Sequence, residues 1–446
     1  MVLLLSTYEL GRQPFGLASP AAWLRHAGLE VRTVDLSVER LTPAALDGVE
    51  VAAVHLPMHT ATRLALPVIA AIRRHQPGLP IIAYGLYAPL NRAQLEAVGV
   101  TAVVGPEAEA DLVTLASAAV RGEPLVSPAP APLPRLRFQV PDRSGLPALD
   151  AYAKLQRPDG RLAVVGATEA SRGCKHRCRH CPIVPVYDGQ FRVVPIEVVL
   201  ADIRSQVAAG AEHITFGDPD FLNGPTHARR LVDALHAEWP GLTYDVTVKV
   251  EHLRAHDALL PVLRDTGCAF VTSAVESLDD AVLARLDKGH TRADVEAVAA
   301  RCRDLGLALS PTFIAFTPWT SRDGFVRFLD DVDALGLVGH VAPVQWTLRL
   351  LVTWQSRLLE LDDIRALVGA FDPATLTYPW RHADAGVDTL QRDVMRLVGV
   401  RAAAPRAALF AAVRALADEA VGRAPRVDEP RLARAAIPYL TEPWYC

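Results

Sequence analysis

Cys174, Cys178 and Cys181 form a C-x3-C-x2-C array inside the stretch 169–195, and they are three of only six cysteines in 446 residues. Three thiolates so close, with no fourth cysteine in the stretch, point to a metal centre with one position left open. A cubane iron–sulfur cluster normally takes four cysteine ligands, so three would leave one iron free to bind another molecule. A zinc site of the Cys3His type is the rival chemistry, because His176 and His180 lie inside the same loop. A disulfide reading is poor: cysteine density is low, and the opening Val2–Leu5 is too short for a secretory h-region. Lys175, Arg177 and Arg179 make the loop basic, which suits an anionic thiolate-bound cluster.

Further candidates lie where apolar runs give way to turns. Phe216–Leu222 reads F-G-D-P-D-F-L, so Gly217 offers backbone groups while Asp218 and Asp220 offer hydrogen-bond acceptors. A turn with two solvated aspartates is the plainer reading of the same residues. Asp245–Glu251 alternates polar and apolar side chains, which places Thr247 and Lys249 on one face of a strand. Glu276 and Ser277 close another apolar run, and a carboxylate in a barrel mouth is one whose pKa is commonly perturbed. Trp319, in the F-T-P-W-T segment 316–320, either stacks on a ring or fills core. Cys268 and Cys302 stand alone in apolar surroundings and read as buried, inert thiols.

Alternating strands and helices would have to position these residues. Strands are predicted at Val2–Leu5, Val31–Asp35, Val51–His55, Ile81–Tyr84 and Ala102–Val104. Between them Pro20–Ala27 (with Ser19 as N-cap), Thr62–His75 and Ala108–Val120 are predicted helices. That rhythm implies a doubly wound parallel sheet of the Rossmann type. Seven prolines between Pro124 and Pro147 then make a semi-rigid spacer. Longer units follow, with strands predicted at Leu162–Thr168, His213–Phe216, Tyr244–Val250, Ala269–Val275, Ala308–Ala315 and Val341–Leu348. Ile196–Ala209, Thr226–Trp239 and Arg292–Leu305 are helices of that half, and six βα units imply a partial barrel with its site at the strands' C-terminal ends. The expected class is α/β: a Rossmann-like domain at 1–122, a Pro-rich linker at 123–160, a partial (βα)6 barrel at 161–350, and a helical extension at 351–446. Ala407–Val421 is that extension's clearest amphipathic helix. A net charge of −4 with both signs interspersed argues against a nucleic-acid partner, and no apolar run is long enough to span a membrane. A cytoplasmic location follows, and a reducing compartment suits free thiolates.

Ser171-Arg172-Gly173 before the first cysteine and Pro182 after the third resemble the R-G-C…C-x-x-C-P wording of the radical S-adenosylmethionine (SAM) superfamily. The resemblance implies a [4Fe–4S] cluster on Cys174, Cys178 and Cys181, SAM chelated at the open iron, and a one-electron reductant such as flavodoxin or ferredoxin. It implies reductive cleavage of SAM to methionine and a 5′-deoxyadenosyl radical that abstracts hydrogen from a small-molecule or peptide substrate, which the sequence does not identify. His180 stands where that family commonly has an aromatic residue beside the adenine. Phe216–Leu222 resembles the F-x-D-D-x-F segment of cobalamin-type members, which implies a SAM-ammonium role for Gly217, Asp218 and Asp220, with Asp218 foremost. Thr247 or Lys249 would then meet the SAM carboxylate. Glu276-Ser277 and the later L-D-K-G-H-T at 286–291 resemble superfamily wording near SAM.

The N-terminal half resembles the cobalamin-binding-like domain that precedes many such barrels. Its first loop reads S-T-Y-E-L-G at 6–11 and lacks the D-x-H-x-x-G cobalt-ligating pattern. Cobalamin is therefore expected, if at all, without a histidine ligand, and His55 and His59 read as ordinary loop or core residues. The final E-P-W-Y-C at 442–446 resembles the tail of the CUAEP/CCAEP radical SAM family, in which a cysteine precedes selenocysteine or cysteine. On that resemblance Cys446 is a candidate catalytic residue of a selenoprotein. Two rival functions stand beside the radical reading: 3-amino-3-carboxypropyl transfer from SAM to a thiophilic element such as arsenic, and a zinc-binding Rossmann-type interaction protein.

Overall fold

The computed structural model describes residues 1–128, 136–424 and 435–442. Five parallel strands, β1 (Val2–Ser6), β2 (Val31–Asp35), β3 (Val51–His55), β4 (Ile81–Tyr84) and β5 (Ala102–Val103), form a sheet in the order β2-β1-β3-β4-β5. β1 lies inside this sheet, and all five of its residues are buried, as a parallel strand covered on both faces must be. Leu3, Leu5, Ala52 and Val54 pack into the core on one face. Val2, Leu4, Val51 and Ala53 pack into the core on the other, which is the period-two alternation of strands.

The first helix departs from expectation. It runs Phe15–His26, with Pro20 in its interior and Ser19 buried, so Ser19 is not an N-cap. Proline has no N–H for the carbonyl four residues earlier. That carbonyl, on Gly16, is satisfied instead by the Tyr84 hydroxyl at 2.7 Å. Glu9 caps the true start, accepting the N–H groups of Phe15 (3.0 Å) and Gly16 (3.3 Å).

The second sheet holds β6 (Lys154–Gln156), β7 (Leu162–Thr168), β10 (His213–Phe216), β11 (Thr243–Thr247), β12 (Cys268–Glu276), β13 (Leu309–Phe313) and β14 (Tyr439–Leu440). β8 (Ser171–Gly173) and β9 (Phe191–Val193) make a separate antiparallel pair. The order of the large sheet is β13-β12-β11-β10-β7-β6-β14; β7 and β10–β13 are parallel, β6 is antiparallel to β7, and the edge strand β14 is antiparallel to β6. Helices Ile196–Ala208, Pro225–Glu238 and Arg292–Leu305 cover its outer face with one continuous apolar core. This is the expected mixed α/β fold, a parallel sheet followed by a curled half-barrel.

Two predicted strands differ. Val341–Leu348 contains a short 3-10 turn at Pro343–Trp346, and the sixth strand's place is taken by a single bridge from Phe316 to Arg349. Pro343 cannot donate to a ladder, which works against a strand in this segment. β11 stops at Thr247 because a helix, Val250–Ala255, begins directly after Lys249. Helices Ala385–Arg401 and Arg406–Ala420 close the barrel from the side, with the Phe410 ring 5.4 Å from Trp346. Among the described residues no helix is long and apolar enough to cross a membrane.

Candidate functional site

β8 delivers the cysteine loop and β9 holds it. Gly173 has φ +77°, and a Cβ there would lie 2.5 Å from the Gln190 carbonyl, so only glycine fits before the first cysteine. Cys178 is buried and Cys174 and Cys181 are half-buried, all as free thiols. Burial pushes Cys174 up to about 11 and Cys181 up to about 12, and the neighbouring thiols push in the same direction. Three thiols on one loop are a soft donor set of the kind that holds an iron–sulfur cluster. The loop is tied down by backbone bonds: Arg179 N–H to the Leu286 carbonyl (2.9 Å), and Lys175 N–H to Asn223 Oδ1 (3.2 Å).

Both aspartates of Phe216–Leu222 are buried, and their oxygens already have partners within the protein. Asp218 is 3% exposed, and its two oxygens accept the Ala170 N–H (2.9 Å) and the Ser171 hydroxyl. Burial pushes its pKa up to about 7. Asp220 is 1% exposed, accepts the N–H groups of Leu222 (3.0 Å) and Lys249 (3.3 Å), and lies 2.8 Å from His252 Nδ1. A buried carboxylate must find donors, and the loop that carries the cysteines supplies those of Asp218. Gly217 continues the strand pairing through its N–H to the Thr168 carbonyl at 2.8 Å.

Lys249 and Thr247 part company. The Lys249 ammonium donates to Glu251 (2.9 Å) and lies 3.2 Å from His176 Nδ1, while Thr247 lines a cavity inside the barrel. His176, Asp220 and His252 come together beside the cysteine loop, with the two imidazole Nε2 atoms 3.1 Å apart. Sequence reasoning missed His252; its place near the start of the helix after β11 was the available signal. His180 turns to Glu276, Nε2 to Oε1 3.2 Å, so each histidine of the supposed Cys3His set has a partner on another element.

Glu276 is the most constrained of the candidates. It has φ +67°, a left-handed conformation that costs a non-glycine residue energy, and it follows a register shift in the pairing of β12 with β13. Burial opposes its charge, but the Lys288 ammonium at 3.3 Å and His180 outweigh burial and pull its pKa down to about 2. Lys288 is itself 3% exposed and faces the field of Cys178 and Cys181. A cavity of about 320 Å³ opens at this strand end, lined by Glu276, Ser277, Ile314 and Trp319. Trp319 is thus a cavity wall, with its Nε1 fixed to Asp363 at 2.8 Å.

The larger cavity, about 900 Å³, fills the barrel interior from Gly217 and Asp218 inward. Residues Tyr439–Glu442 return to close it: β14 pairs with β6, and the Tyr8 hydroxyl donates to Glu442. Cys446, four residues on, lies outside the described residues. Cys268 and Cys302 are buried, and burial raises both thiols.

The strand ends of the first sheet are occupied by side chains. Arg172 reaches Glu109 (2.7 Å) and Glu169 (2.9 Å), and Arg192 reaches Glu107 (2.9 Å). The His55 ring lies where a Cβ on Gly16 would come within 1.9 Å of it, and its Nδ1 is 3.4 Å from Glu9. His59 Nε2 bonds the Thr375 carbonyl at 2.7 Å. These residues do not fit a histidine-ligated cobalamin.

Residues 168–332 match the family model described as the radical SAM superfamily. The chain is similar to the ribosomal protein uS12 methylthiotransferase RimO of Geobacter sulfurreducens, 25% identical over 193 residues, covering 40% of this chain and 42% of that protein. It is also similar to the tRNA-2-methylthio-N(6)-dimethylallyladenosine synthase of Methylococcus capsulatus, 27% identical and covering 43% of each. The chain spans less than half the length of these curated relatives. Among solved structures it shares its fold with the cobalamin-dependent SAM radical enzyme OxsB, with aqua-cobalamin and SAM bound (TM-score 0.66, 13% identity, 89% of this chain and 66% of that one). It shares it also with the radical SAM methyltransferase TsrM of Kitasatospora setae (TM-score 0.60, 19% identity, 75% of this chain and 71% of that one).

Proposed function

With residues 168–332 matching the radical SAM superfamily model, we propose that this chain is an enzyme that binds a [4Fe–4S] cluster and SAM and generates a 5′-deoxyadenosyl radical. The observation that carries the reading is three free thiols brought together on one loop, presented by a β-hairpin inside the segment that matches the superfamily. Cys174, Cys178 and Cys181 hold the cluster, and Gly173 and Asp218 fix the loop that presents them. When bound, the cluster supplies the electron that breaks a carbon–sulfur bond of the SAM sulfonium. Glu276 and Ser277, with Ile314 and Trp319, receive the adenosine part in the smaller cavity. His180 and Lys288 keep Glu276 ionised there, so that a carboxylate rather than a carboxyl faces the ligand. Gly217 and Thr247 line the larger cavity, which takes the substrate and keeps it from water.

The division at 1–122, 123–160, 161–350 and 351–446 belongs to this proposal, with the first unit serving as a clamp on the cysteine loop through Arg172. An external one-electron donor of the flavodoxin or ferredoxin kind completes the system, and thiolate chemistry calls for a reducing, cytoplasmic setting. The test is anaerobic reconstitution with iron and sulfide, then dithionite and SAM, with products read by mass spectrometry. The proposal expects a brown protein that yields methionine and 5′-deoxyadenosine. Methylthioadenosine would assign the other SAM bond, and a colourless protein holding zinc would sink the proposal.

A further inference from the structure

The larger cavity has a carboxylate oxygen in its wall with no protein donor among the described residues. Asp245, on β11, is 4% exposed and lines this cavity. Its Oδ1 accepts the Thr215 hydroxyl at 2.6 Å and lies 2.9 Å from His213 Nε2. Its Oδ2 has no hydrogen-bond or ion-pair partner among the described residues. His213 is fully buried, and its Nδ1 lies 2.8 Å from the Thr243 hydroxyl, which can donate to it. Both contacts of Asp245 fall on Oδ1, so Oδ2 is the oxygen left for a ligand.

The other charged groups of the cavity are Arg12, Asp218, Arg406 and Glu442. Arg12 lies in the field of Glu442, the Asp218 oxygens are both bonded, and Arg406 donates to the His340 carbonyl at 2.7 Å. Around Asp245 the wall carries neutral hydroxyls, those of Thr247, Thr272, Ser310 and Thr312. A carboxylate oxygen that faces a cavity without a protein donor is open to a ligand that supplies one. We propose that the substrate carries an ammonium or guanidinium group, which seats on Asp245 Oδ2. The inference rests on the radical SAM reading, because that reading makes this cavity the substrate chamber. The remainder of the molecule then extends toward Gly217, which lines the same space.

The test uses the reconstituted protein with SAM and four probes of equal length: n-butylamine, n-butylguanidine, n-butanol and butyrate. Binding is followed by ligand-observed NMR. The two cations are expected to bind at least about tenfold more tightly than butanol or butyrate, a preference that Asp245→Asn removes. Iron content and thermal midpoint report whether the variant is folded. The inference is overturned if butanol matches butylamine in the unaltered protein, if the variant binds the amine undiminished, or if neither cation binds saturably. SAM cleavage by the unaltered protein without probes is scored separately. Its failure would remove the radical reading, whereas intact cleavage with no cation preference would remove this inference alone.

Discussion

Replacing Arg172 with glutamine would show whether buried charge clamps the first sheet to the cysteine loop. The guanidinium sits between Glu109 at 2.7 Å and Glu169 at 2.9 Å, two residues before Cys174. The Glu109 side chain is 4% exposed; burial alone would raise its pKa, yet Arg172 outweighs burial and holds it below the usual carboxylate value. Removing one member of a buried pair strands the other, at a cost of about 3–5 kcal/mol. Glu169 is 27% exposed, so water can take over much of its solvation and it adds little. Arg172→Gln should therefore destabilise the protein by about 3–5 kcal/mol, nearly all through Glu109. Adding Glu109→Gln removes the stranded anion, and the double variant should recover about 1.5–3 kcal/mol. Urea unfolding of the four proteins, followed by near-UV circular dichroism, gives the cycle, and iron per chain should fall in Arg172→Gln. Additive losses below about 0.5 kcal/mol in each single variant would refute the clamp.

Other outcomes follow from the same geometry. Alanine at Cys174, Cys178 or Cys181 should each abolish iron retention and reductive SAM cleavage, whereas alanine at Cys268 or Cys302 should leave both largely intact; a loop variant that still cleaves SAM would be decisive against the cluster assignment. Asp35 is 1% exposed, and burial, only partly offset by its bonds to Ser37, pushes its pKa up to about 6. The folded state thus binds the proton more tightly than the unfolded state, so stability should decline by about 3 kcal/mol as pH rises from about 4 to about 6 and stay lower above that. Asp35→Asn should flatten that decline, which unfolding curves across this range can check. Hydroxocobalamin offered to the purified protein should give no histidine-on spectrum, since the first loop lacks a histidine and His55 is packed on Gly16; a histidine-coordinated cobalt signal would contradict this.

Much was legible in the sequence because local chemistry and local pattern carried it. The three cysteines, their spacing and the glycine before them define a ligand loop whatever surrounds them, and Gly173 at φ +77° is the physical reason for that glycine. Strands such as Val31–Asp35, Val51–His55 and Leu162–Thr168 were readable because burial imposes an apolar period that leaves its trace in one dimension. Contacts between distant elements left no such trace. Asp218 and Asp220 read as hydrogen-bond acceptors, and only the fold shows that Ser171 and Leu222 are among their donors. Pro20 read as a helix start because nothing local announces that Tyr84 will satisfy the Gly16 carbonyl. The pairing of Lys288 with Glu276, the return of Glu442 to Tyr8 and the lone oxygen of Asp245 are likewise products of tertiary structure. A side chain's type is written in the sequence, whereas whether its charge is solvated, paired or left exposed to a ligand depends on residues hundreds of positions away.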